Sequence, residues 1–268
     1  MSSSASKQPS LAIRLIIAAA AAGIVMSYGL LLILSLGSGW TFPNLLPDRM
    51  NFVPWRAFAS DRDVLIKALL TSTGLSLIVG GLGTFMGLVI GRTVRRWNSE
   101  TVRFLIYLPF VVAPVIAAIC LYDLLIRLRV AGTPAGVIFS QCIFATSFAA
   151  VYFSELWTRK TDRLEDLVWS LGGSTFAVWR HVVIPEGSGL IVVCFLQACL
   201  YSWLDYGLVS VIGGGNVQSL TLRMFGYIRE ASVNQAAQAA LILLLPALAG
   251  SIVTAVYYFL RRAEDSQS

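Results

Sequence analysis

Leu164-Glu165-Asp166-Leu167-Val168-Trp169-Ser170-Leu171-Gly172-Gly173-Ser174, followed after Thr175 by Phe176-Ala177-Val178-Trp179-Arg180-His181-Val182-Val183-Ile184-Pro185, lies between two long apolar runs, residues 136–157 and 189–212. Leu164, Leu167, Val168 and Leu171 recur at helical spacing, which predicts a short amphipathic helix ended by Gly172-Gly173. Phe176, Trp179, Val182 and Val183 repeat the pattern, and Pro185 is expected to break this second helix before the next apolar run. The stretch reads as a helix–turn–helix at the inner face of a membrane. Its apolar stripe calls for a protein partner or for the bilayer surface.

The rest of the chain has the composition that such a placement needs. Of 268 residues, 57% are hydrophobic and 13% charged, and the mean hydropathy is +0.75; an ordinary soluble domain carries about 25% charged residues. This excludes a soluble enzyme, a secreted disulfide scaffold and a disordered chain. Six apolar runs are long enough to cross the hydrocarbon core with some tilt: residues 13–36, 64–91, 104–126, 136–157, 189–212 and 236–260. The expected fold is all-α, a polytopic membrane protein with six transmembrane helices. Residues 1–12 form a polar cytoplasmic N-terminus, 13–260 the transmembrane domain and 261–268 a cytoplasmic tail. Residues 37–63, broken by prolines and carrying Trp40 and Trp55, read as an external loop.

With the N-terminus inside, 12 of the 20 basic residues fall on inner segments, as the positive-inside rule favours. The net charge of +6 therefore reads as topology against an anionic leaflet and not as a nucleic-acid surface. Cys120, Cys142, Cys194 and Cys199 all lie in apolar runs, where a thiol packs as a small hydrophobe. One histidine, and no HExxH, CxxC or GxxxxGK[ST] run, leave no metal site, no cofactor site, no ATP site and no catalytic residue to nominate.

Within the second run Gly83, Gly87 and Gly91 recur every fourth residue, a stripe that lets a neighbouring helix approach closely. Pro109 and Pro114 should kink the third helix beside a cavity. Embedded acids are expensive, at about 2.5–3.5 kcal/mol at a helix centre. Asp205, beside Trp203 and Tyr206 in the fifth run, lines a cavity or else contacts another helix. Asp123 has Arg127 four residues on, which predicts a local ion pair, and Glu155 falls at the inner end of the fourth run. A secondary transporter or channel that uses Asp205 and Asp123 is the alternative reading of these acids.

The quoted segment resembles the EAA signature of permease subunits in binding-protein-dependent ABC importers. Asp166 stands at the acidic position, Gly172 at the glycine, and Ile184-Pro185 at the hydrophobic-proline pair that ends thirteen residues later. Leu167 and Val168 replace the usual alanines. Leu108-Pro109-Phe110-Val111-Val112-Ala113-Pro114 is similar to the family's proline-interrupted third helix. Ser202-Trp203-Leu204-Asp205-Tyr206-Gly207, with the Gly213-Gly214-Gly215 loop, is similar to its fifth helix, so the match covers residues 65–260. The later stretch resembles subunits of the polyamine, ferric iron, thiamine and sulfate group.

The resemblance implies a permease forming half of a translocation pathway in the bacterial inner membrane, with both termini cytoplasmic. Its partners would be separate ABC ATPase subunits that bind the ATP, a second permease subunit, identical or homologous, and an extracytoplasmic solute-binding protein. Residues 162–185 would hold a cytoplasmic coupling helix between the fourth and fifth spans. Asp166, Leu167, Val168 and Leu171 would dock in the ATPase, Gly172 would permit the turn, and Arg163, Arg180 and His181 would flank it. Asp205, Trp203, Tyr206, Pro109 and Pro114 are the candidates for the pathway.

Overall fold

A computed structural model describes residues 11–38, 49–50, 55–56, 58, 62–97 and 100–265. Its helices are α1 (Leu11–Leu36), α2 (Arg62–Trp97), α3 (Glu100–Val111), α4 (Pro114–Arg127), α5 (Pro134–Ser154), α6 (Arg159–Ser170), α7 (Thr175–Leu204), α8 (Gly207–Ile212), α9 (Leu220–Arg229) and α10 (Val233–Asp265). Among the described residues the only extended pairing is β1 (Gly37–Ser38) with β2 (Arg49–Met50), antiparallel. Most of the expected loop 37–63 and the terminal residues 1–10 and 266–268 lie outside the described residues.

Two compact units are present, Met1–Arg62 with Met224–Ile242, and Asp63–Arg223 with Leu243–Ser268. In the first, side chains of α10 satisfy carbonyls at the end of α1 that have no intrahelical donor. Asn234 Nδ2 donates to Leu34 O at 2.8 Å and also to Gly37 O, and Gln238 Nε2 donates to Ser35 O at 3.0 Å. Phe58 packs against both Trp55 and Tyr227.

The second unit is organised by the glycine stripe. A Cβ built on Gly83 would lie 2.6 Å from Ala145 Cβ, one on Gly91 would lie 2.9 Å from Phe153 Cβ, and one on Gly87 would run into Ala149. Hydrogen in place of a side chain is what allows α2 and α5 to meet backbone to backbone. The paired residue numbers rise together, so the two helices are parallel. Both therefore start at the same end of the unit, and residues 100–133 travel back along its length.

Helices α3 and α4 make that return with a bend of 107°. The expected single kinked helix over 104–126 is corrected to two helices, which carry the chain from the end of α2 back towards the start of α5. The break lies where Pro114 biases the preceding residue away from helix; Ala113 has φ −60° and ψ 137°.

Helix α7 opposes α2 and α5. Gly80 of α2 packs on Phe195 and Cys199, and Gln141 near the start of α5 meets Ser202 and Asp205 at the end of α7. Two boundaries here differ from the sequence reading. The expected span 189–212 stops at Leu204, with a separate short helix α8 beyond it. Pro185 does not break the chain: α7 is continuous from Thr175 because Trp179–Val183 form a π turn in which Ile184 N–H donates to Trp179 O, five residues back. A π register absorbs one extra residue and relieves the proline. Helix α10 then returns, with Trp203 Nε1 donating to Leu243 O at 3.1 Å.

Four helices are long and apolar enough to cross a membrane, at Arg62–Val94, Pro134–Ser154, Thr175–Leu204 and Val233–Thr254. Counted as one span, the bent pair brings the number to five, while the described apolar part of α1, Ala22–Leu36, is shorter than a span. Large apolar side chains exposed along these helices, such as Leu70, Phe85, Phe104 and Ile119, are what a bilayer would cover.

The seam is testable. Gly87→Leu should destabilise the detergent-purified protein by about 1–3 kcal/mol through overpacking, whereas Gly81→Leu, whose Cβ meets nothing within 4 Å, should leave the thermal midpoint unchanged. Equal midpoints for both variants would overturn the parallel α2–α5 packing.

Candidate functional site

The segment read first from the sequence forms a tightly specified turn. Thr158 Oγ1 accepts from Thr161 N at 3.4 Å to start α6. At the far end, Gly172 N–H donates to Trp169 O at 3.0 Å and Gly173 N–H to Val168 O at 2.9 Å, the two bonds of a Schellman motif. Gly172 has φ +77°, a left-handed conformation that costs other residues about 1–2 kcal/mol. Gly173 is required for space instead: a Cβ there would lie 2.5 Å from Val168 Cγ1 and 2.7 Å from Val168 O. Ser174 Oγ then accepts from Ala177 N at 3.3 Å to open α7.

The expected apolar stripes divide between inside and outside. Val168 turns inward and packs with Trp157, Val178 and Val183. Leu167 and Leu171 point out, the latter 80% exposed, and Phe176 is 71% exposed. Trp169, not singled out from the sequence, is also exposed. Asp166 and Gly172 share the exposed surface of the turn, as do Arg163, Arg180 and His181, while Ile184 and Pro185 are exposed farther along α7. Lys160 Nζ pairs with Glu186 at 3.0 Å and ties the start of α6 to α7.

Sequence reasoning missed the anchor of this segment. Glu165, next to Asp166, faces the helical bundle, and its Oε2 accepts from Arg92 Nη2 of α2 at 2.5 Å. The same guanidinium lies 5.1 Å from the Trp157 ring centroid and 6.0 Å from that of Trp179, within cation–π range. In the sequence Arg92 was only one more basic residue after the glycine stripe. Its position one residue beyond Gly91, where α2 touches α5, was the usable signal.

At the other end of α7 a cavity of about 990 Å³ opens between the α3–α4 break, α5 and α7. Pro109, Pro114, Asp205 and Tyr206 line it, with Phe110, Phe144, Phe148 and Tyr201 supplying aromatic wall. Trp203 does not: it is buried on α10 through its indole bond to Leu243 O, and its own carbonyl accepts from Thr221 Oγ1 at 2.8 Å.

Asp205 is 8% exposed and well partnered. Its Oδ2 accepts from Gln141 Nε2 at 3.0 Å and Val209 N at 3.2 Å, and its Oδ1 from Leu208 N at 3.4 Å. Gln141 Oε1 in turn accepts from Ser202 Oγ at 2.7 Å. The carboxylate thus both reaches the cavity and caps α8 against α5, so the two readings offered by the sequence are joined in one residue. Gln141, a fully buried amide in an apolar run, is the partner that the search for embedded acids passed over. Asp123 pairs with Arg127 at 2.8 Å as expected, on an exposed helix face, and Glu155 is exposed at the end of α5. No group of three or more His, Cys, Asp or Glu suited to a metal occurs among the described residues.

No family model and no curated relative matches the chain in sequence. Its fold is similar to that of a chain in a solved structure described as inward-facing conformations of the MetNI methionine ABC transporter. The TM-score is 0.56 at 16% identity, over 74% of this chain and 97% of that one. At this identity the likeness shows the fold alone.

The Asp205 network gives a direct test. Asp205→Ala removes the acceptor for three donors, two of them at the start of α8, and should destabilise the purified protein by about 1–3 kcal/mol. Asp205→Asn keeps one acceptor oxygen and should lose less. An unchanged thermal midpoint in Asp205→Ala would remove the capping role.

Proposed function

We propose that this chain is a transmembrane permease subunit of an ATP-driven solute importer. In this reading it forms half of a translocation pathway and takes its energy from a separate ABC ATPase docked on the 162–185 segment. The observation that carries the proposal is the turn around Gly172. A rigid Schellman turn holds Leu167, Leu171 and Phe176 out into solvent beside Asp166, at the end of the bundle where α2, α5 and α7 converge on Arg92. An apolar surface held out in this way suits a protein groove better than it suits water. The EAA-like spacing and the fold similarity support the same reading.

The remaining assignments follow from it. The segment 162–185 and both termini lie on the cytoplasmic side of the bacterial inner membrane. A second permease, identical or homologous, completes the pathway, and an extracytoplasmic binding protein delivers the solute. The cavity at the α3–α4 break, with Pro109, Pro114, Asp205 and Tyr206, is this subunit's contribution to the path. ATP is bound by the partner ATPase. The alternative, a secondary transporter or channel driven through Asp205 and Asp123, has less support: Asp123 is held by Arg127 on an exposed face, and Asp205 is committed to Gln141 and the start of α8.

Co-expression with a P-loop ATPase and an exported binding protein, sought among neighbouring genes, tests the proposal. The complex should hydrolyse ATP faster when the loaded binding protein is added. Asp166→Arg or Leu171→Arg should reduce recovery of the ATPase at least tenfold, about 1.4 kcal/mol, and Asp166→Glu should not. Solute uptake by vesicles holding this chain alone, without ATP, would overturn the proposal in favour of the secondary transporter.

A further inference from the structure

Helix α6 is joined by backbone to α5 through residues 155–158 and to α7 through Gly172-Gly173, and Lys160 also pairs with Glu186 of α7. Its polar tie to α2 is the pair between Glu165 and Arg92. Among the described side chains no other hydrogen bond or ion pair joins residues 160–170 to residues 62–94 of α2. The two side chains are 20% and 13% exposed, well below the exposure at which ion pairs contribute little. Glu165 Oε1 is buried without a hydrogen-bond partner, and among the described side chains Arg92 is the carboxylate's ion-pair partner. Losing it would strand a buried charge, which is far costlier than losing a surface pair. The guanidinium is meanwhile held over Trp157, just past α5, and Trp179, the first residue of the π turn in α7.

We propose that Arg92 and Glu165 form a latch that makes the second span follow the coupling segment, so that a displacement of α6 moves α2 as well as α7. They are positioning residues and would touch neither ATP nor solute. The latch rests on the importer reading above and adds to it the path by which motion enters the bundle. Because α2 is bound to α5 along the glycine seam, a pull on Arg92 is delivered to both helices. Without the latch, α6 would pull on α5 and α7 through the backbone, and α2 would follow only through the glycine seam.

The test uses the assembled complex in proteoliposomes, measuring ATP hydrolysed and solute taken up in the same sample. Arg92→Ala and Glu165→Ala should retain the ATPase and hydrolyse ATP within about twofold of wild type, while uptake per ATP falls at least tenfold. Arg92→Lys keeps the charge but not the planar group over the two indoles and should give an intermediate ratio. The exchange Arg92→Glu with Glu165→Arg should recover part of the ratio, which separates pairing from loss of either side chain alone. The Lys variant and the exchange keep the test decisive if the alanine variants assemble poorly.

Wild-type uptake per ATP in Arg92→Ala or Glu165→Ala would overturn the latch and leave the importer reading intact. So would a parallel fall in hydrolysis and uptake across all variants, the mark of a merely structural pair. A wild-type chain that captures no ATPase would instead overturn the importer reading, and the latch with it.

Discussion

Backbone-to-backbone contact between α2 and α5 is the constraint from which the larger unit follows. Lipid gives apolar side chains no reason to leave it, so helices in a membrane are held by close packing and hydrogen bonds more than by burial from water. Gly83, Gly87 and Gly91 supply the closeness on one side, and Ala145 and Ala149 supply most of it on the other. Because the seam is parallel, the chain between these helices has to recross, and the α3–α4 break is where it does. The cavity at that break is a by-product of the recrossing: a bent pair cannot fill the space that a straight helix would occupy against α5 and α7.

The same helix α2 holds both ends of the unit. Near its start, Ser72 Oγ accepts from Leu220 N at 2.8 Å and so fixes the beginning of α9. Near its end, Arg92 fixes α6. Between these points lies the glycine seam, so the polar attachments sit at the ends and the close packing in the middle. This is the arrangement expected where buried polar groups need partners and the hydrocarbon centre offers none.

The sequence made these elements legible to unequal degrees. The apolar runs, the glycine stripe, the Gly172 turn and the Asp123–Arg127 pair were readable because each depends on spacing within one helix or one turn. Proline positions marked trouble without revealing its form: Pro114 breaks a crossing, whereas Pro185 sits beside a π turn in an unbroken helix, and local sequence does not distinguish them. The Gln141–Asp205 and Arg92–Glu165 pairs were unreadable, since their members lie 64 and 73 residues apart. Trp203 was placed on the path for its neighbours in sequence, yet side chains on a helix diverge by about 100° per residue, and it faces α10 while Asp205 faces the cavity.

The π turn at Trp179–Val183 has a consequence for how this region is compared between proteins. One residue added to a regular α-helix would turn everything before it by about 100° relative to everything after it, and a π turn takes up that residue and keeps the two parts in phase. The spacing from Gly172 to Pro185 thus counts one residue that advances the chain in sequence but not in helical phase. A relative lacking both that residue and the π turn would align with a single-residue gap here and still present the Gly172 turn at the same azimuth around the axis of α7. The same deletion with the π turn kept would swing the exposed segment by about 100°.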